Sequence, residues 1–126
     1  MWDVSEKSRF LQDIIERDPR YADEAYVFIL DTLREVIEGL QEVRHVTGQE
    51  LSEGCRRRAL ELYGPLARSV LEYWGIKTTA DFGEIVFNLI KAKQLTKTEN
   101  DSKEDFRDVF DFEEAFDRQY PWGKVS

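Results

Sequence analysis

The chain has 126 residues, 41% hydrophobic and 35% charged, with a formal charge of −8 at pH 7 and a pI near 4.7. That length and composition suit one folded domain, 1–126 with 1–4 and 121–126 flexible, and exclude a disordered chain. The negative charge disfavours non-specific nucleic-acid binding, and the lone cysteine excludes an internal disulfide.

The first predicted helix covers 5–17, with Phe10, Leu11 and Ile14 inward, and Asp18-Pro19 ends it. The strongest helical periodicity runs over 21–43. Ala22, Ala25, Tyr26, Ile29, Leu30, Leu33, Val36, Ile37 and Leu40 share a broad apolar face, with Asp31, Arg34, Glu35, Glu38 and Glu42 opposite. Val27 and Phe28 fall off that stripe, so this helix is expected to pack on more than one side, and Gly39 weakens its last turns.

Thr47 to Glu50 is a capping box, and the helix it opens turns Leu51, Cys55, Ala59 and Leu62 inward. Gly64-Pro65 breaks that run and starts a further helix ending near Trp74-Gly75, with Leu66, Val70, Leu71 and Trp74 toward the core. Ile76 is expected in a short strand. Thr78 with Asp81 begins another helix, in which Phe82, Ile85, Val86, Leu89 and Ile90 face inward until about Ala92. Gly83 lies in its first turn, where glycine costs stability unless another element packs closely. Residues 95–98 and 106–110 are expected to pair as strands, and Asp111 with Glu114 to cap a last short helix. The fold class expected is therefore mainly α with some β (α+β): a helical domain with a short C-terminal β-hairpin, resembling a winged helix in its order of elements.

Three blocks, "HVTGQELSEG", "YGPLARSVLEYWGIKTTADFGEIVFNLIKAKQL" and "DSKEDFRDVFDFEEAF", occur in order with natural spacing, and "DPRYADEAYVFILDTL" precedes them. Together they resemble a family of small uncharacterised bacterial proteins found notably in planctomycetes and verrucomicrobia. The resemblance spans about 10–116. It implies one intact fold unit and supplies no catalytic residues, because no activity is established for that family.

The chemistry the residues permit is narrow. Nucleophilic catalysis needs a nucleophile, a base and a group orienting the base, and here there is one Cys and one His. Cys55 belongs to an apolar helix face and His45 to a loop before the Thr47 cap, so neither is assigned a catalytic role. No phosphate-binding loop or dinucleotide fingerprint occurs. Asp101, Glu104, Asp105 and Asp108 have the oxygen chemistry of a divalent-ion site but lack the spacing of a calcium-binding loop, so no metal or cofactor is assigned.

The segment from Glu99 to Arg118 holds nine carboxylates against three basic side chains, threaded by Phe106, Phe110, Phe112 and Phe116. The aromatics are expected to seal this segment onto the core and leave its acids exposed. The function expected is non-enzymatic protein interaction, with Asp101, Glu104, Asp105, Asp108, Glu113, Asp117 and Trp122 docking a basic partner by charge. The alternative is a winged-helix-like DNA-associated regulator using Arg56, Arg57, Lys91, Lys93 and Lys97, although the helix at 80–92 carries few groups able to read bases. An enzyme or carboxylate metal protein comes third. Spare apolar helix faces also suit a homodimer. The start lacks the apolar stretch of a secretion signal, and the longest apolar run, around 26–30, is too short to span a membrane, so a cytoplasmic location without membrane contact is expected.

Overall fold

The computed structural model describes residues 4–42, 44–96 and 101–118, with side chains placed at 11–42, 44–96 and 101–117. Among the described residues five α-helices run in chain order: α1 Val4–Arg17, α2 Asp23–Glu38, α3 Gly48–Tyr63, α4 Ala67–Tyr73 and α5 Thr79–Lys91. Short 3₁₀ turns occupy Gly64–Leu66 and Lys103–Phe106, and a π-helical turn spans Glu113–Arg118. No strand occurs among the described residues.

Local chemistry explains most boundaries. The α3 capping box forms as expected: Thr47 Oγ1 accepts from Glu50 N–H at 3.1 Å, and Glu50 Oε1 accepts from Thr47 N–H at 3.0 Å. Arg44 adds two bonds to the Glu50 carboxylate and, as the largest cause, holds its pKa down at about 2. At the start of α5, Asp81 accepts from the N–H groups of Lys77 and Thr78 at 2.8 and 3.1 Å. Helix α2 stops at Gly39, short of the predicted end at residue 43.

Helix α2 is the centre of the core. Ala25, Tyr26 and Ile29 are completely buried, and Phe28, off the main stripe, is buried against Trp74 at a ring distance of 5.7 Å. The helix is therefore packed on two sides. Leu51, Cys55 and Ala59 of α3, Leu71 of α4, and Phe82, Ile85 and Leu89 of α5 complete one contiguous apolar cluster. Ile37, Leu62 and Leu66 were predicted inside but are 49%, 52% and 63% exposed.

The expected α+β class, the hairpin and the winged-helix likeness are overturned by this all-helical architecture. Ser102 Oγ accepts from Glu104 N–H and Asp105 Oδ2 accepts from Ser102 N–H, which starts a 3₁₀ turn where the hairpin connection was expected. Asp108 then takes a left-handed φ of +52°, which no extended strand over 106–110 tolerates. Burial there follows turns rather than alternation, with Phe106 inside and both Arg107 and Asp108 outside. Ile76 is buried without a strand, and its N–H bonds back to Leu71 O at 2.9 Å, closing the end of α4. Among the described residues no helix is long and apolar enough to cross a membrane.

Candidate functional site

The aromatic half of the acidic C-terminal segment is core. Phe82 of α5 lies 6.3 Å from Phe110 and 6.0 Å from Phe112, ring to ring. Phe110 stacks on Phe112 at 5.7 Å, and Phe112 meets Phe116 edge to face at 5.1 Å. Such pairs add about 0.5–1.5 kcal/mol each beyond area burial. Phe106 covers Gly83, where a Cβ would come within 2.9 Å of its ring, so the first-turn glycine of α5 serves close packing.

The acids of the same segment divide. Asp101 Oδ1 lies 2.7 Å from His45 Nε2, Glu104 pairs with Arg107 at 3.1 Å, and Asp117 with Arg68 at 2.5 Å. Asp105 caps the 3₁₀ turn by accepting from Ser102 N–H at 3.1 Å. Asp108 and Glu113, together with Asp111, line an open cleft of about 280 Å³ whose apolar wall is Phe110 and Phe112. Arg68 and Lys77 stand on the same cleft. Asp111 was legible only as a cap, a role it keeps by accepting from Glu114 N–H at 3.0 Å. Trp122 lies outside the described residues.

The cationic set is not brought together as one patch. Arg56 pairs with Glu53 of its own helix at 2.9 Å, and Arg57 shares a shallow surface with Glu50 and Glu53. Lys91 and Lys93 are exposed at the far end of α5, and Lys97 lies outside the described residues. Among the described residues no strand follows α5, so the wing that such a regulator would use does not form there. Arg58 bonds Glu35 at 3.1 Å and sits 5.6 Å over the Phe28 ring.

Cys55 is completely buried, and burial pushes its thiol pKa up despite a hydrogen bond with Thr32. Such a thiol is a packing residue. His45, 45% exposed, pairs with Asp101 at the mouth of a separate small cavity. No group of three or more His, Cys, Asp or Glu suited to a metal ion occurs among the described residues.

A polar staple joins the end of α1 to α5. Arg20 donates to both Asp18 oxygens at 2.8 and 2.6 Å and to Glu84 at 2.9 Å. Asn88 bridges Asp18 and the Tyr26 hydroxyl at 2.9 and 3.1 Å. The Arg20 hydrogen bond is the largest cause holding the Asp18 carboxyl well below its ordinary 3.8. A depressed carboxylate stabilises the fold above its unfolded pKa, and that stability is lost as pH falls below it. Asp18→Asn is therefore expected to cost about 1–2 kcal/mol at pH 7, kept low because the guanidinium is half-exposed. The gap between variant and wild type, read by urea unfolding, should shrink steadily below pH 3.8. A pH-independent gap would remove the ion pair from the account.

Compared with protein-family models, curated proteins and solved structures, the chain matches none, so the site's geometry alone carries the functional reading.

Proposed function

We propose that this helical domain is a non-enzymatic interaction module that docks a basic protein partner through its acidic, aromatic-bordered C-terminal surface, in the cytoplasm. The observation that carries the reading is the cleft at which Asp108, Asp111 and Glu113 meet beside Phe110 and Phe112. Carboxylates of this kind accept charge-assisted bonds from arginine or lysine, and the half-buried Phe110 ring offers surface to the stem of the same side chain. The chain's net charge of −8 steers such a partner toward the domain.

A second reading, a homodimer, has its own support. Tyr73, Leu66 and Leu62 are 87%, 63% and 52% exposed; Leu62 and Leu66 flank the α3–α4 elbow and Tyr73 ends α4. Leu66, Val70 and Tyr73 recur at helical spacing along one side of α4.

The test is co-purification from the native cell with nucleic acid digested, comparing wild type with Asp108→Asn/Asp111→Asn/Glu113→Gln. A stoichiometric basic partner whose recovery falls at least tenfold in the folded variant is expected. Undiminished recovery would overturn C-terminal docking. A wild-type dimer by sedimentation that Leu66→Ser/Tyr73→Ser dissociates would instead assign the outer side of α4 to self-association.

A further inference from the structure

A cavity of about 70 Å³ lies between α2, the start of α3 and α5, apart from the C-terminal cleft. Its floor is hydrocarbon and aromatic, from Leu33, Leu51, Val86, Phe87 and Ile90. Its mouth is polar. The His45–Asp101 pair stands on one side, and Asp105 and Thr47 also line the opening. Asp101 is 19% exposed, so its carboxylate is held at the boundary between the apolar floor and water.

The mouth chemistry selects the ligand's head. Ionised carboxylates only accept hydrogen bonds, and among the described residues no lysine or arginine lines this cavity. A carboxylate or phosphate head would face two like charges there. An ammonium, with three donors and a positive charge, is the complementary group. The floor selects the tail. The volume is about half that of a cavity of roughly 150 Å³ known to admit benzene, which suits an aliphatic chain of about three or four carbons. Ligand sites commonly combine such an apolar interior with a few placed polar groups.

We propose that this cavity binds a short primary alkylamine, tail first, with its ammonium held at the mouth by Asp101 and Asp105. A lysine side chain carries the same ammonium on a similar stem but is tethered at the opposite end. It would enter head first and bury its charge against Val86 and Phe87, a costly arrangement without a partner. The polarity of the cavity therefore favours a free amine over a lysine from a docked protein.

The experiment is a methyl-detected NMR titration of the full chain at pH 7 with n-butylamine, compared with n-butanol, butyrate and Nα-acetyl-lysine amide. Butylammonium is expected to give saturable shifts at Leu33, Leu51, Val86 and Ile90, with Kd at least threefold below that for butanol. Butyrate and the lysine derivative are expected to give none. Val86→Ile, which adds one methyl to the floor and conserves the fold, should raise Kd at least threefold. Asp101→Asn, checked as folded from the same spectra, should bring amine and butanol within twofold. No saturable shift with butylammonium, equal shifts with butyrate, or an unchanged Kd in Val86→Ile would overturn the proposal. Equal binding of the lysine derivative would overturn the free-amine assignment and give the cavity to a partner's lysine.

Discussion

Phe82→Ala is expected to lower the unfolding free energy by about 3–5 kcal/mol. The side chain is completely buried, and its ring neighbours, Phe110 and Phe112, come from the segment that wraps back over α5. Removing the ring takes away transfer free energy and leaves a void beneath two aromatics, which the turn over 107–108 holds in place. Equilibrium unfolding in urea measures the loss. Tyr73→Ala is the control: at 87% exposure it should shift stability by no more than about 0.5 kcal/mol. A Phe82→Ala loss near that of the control would mean that the C-terminal aromatics are not joined to the core.

Gly75→Ala is expected to cost about 2–4 kcal/mol through backbone rather than side-chain effects. Gly75 has φ +97°, and a Cβ there would lie 2.2 Å from the carbonyl oxygen of Arg20. Left-handed strain alone accounts for roughly 1–2 kcal/mol. The remainder comes from moving the α1–α2 connection, which is pinned by the Asp18–Arg20–Glu84 staple and by Ala22 N–H on Trp74 O at 3.0 Å. Gly39→Ala tests the argument from the other side. Gly39 has φ −83° and its nearest new contact would be 3.6 Å, so alanine there should be neutral or slightly stabilising. Equal losses at the two glycines would refute the clash.

The parts of the fold legible in the sequence are those set by neighbours along the chain. The Thr47–Glu50 box, the Gly64-Pro65 break and the Thr78–Asp81 start each depend on side chains within a few residues of the backbone they satisfy. The inward stripe of α5 was legible for the same reason, through its helical period. Gly83 was legible as a site of close approach, though Phe106 as the approaching group was not.

The candidate sites were legible only as ingredients. The charge count over 99–118 identified an acidic segment but not which acids face a cleft, because Asp101, Glu104 and Asp117 find partners whose positions depend on how distant turns pack. His45 and Asp101 are 56 residues apart, and no local pattern links them. The hairpin failed for a related reason. A phenylalanine every few residues fits an extended strand as well as successive turns, and it was the Ser102 cap with the left-handed Asp108 that selected turns. Leu62 and Leu66 illustrate the last limit: helical spacing shows which residues share a face but not whether anything covers it.

Taken alone, the sequence determined where α1 ends and where α3 and α5 begin, that the lone Cys sits on a packed face, and that the chain is acidic, since these follow from composition and short-range hydrogen bonding. Only the tertiary structure decided that the C-terminal segment is helical turns sealed by Phe82, that Asp108, Asp111 and Glu113 share a cleft, and that His45 meets Asp101 over an apolar floor. Those outcomes depend on contacts between residues far apart in the chain, whose energies are settled by packing and not by local propensity.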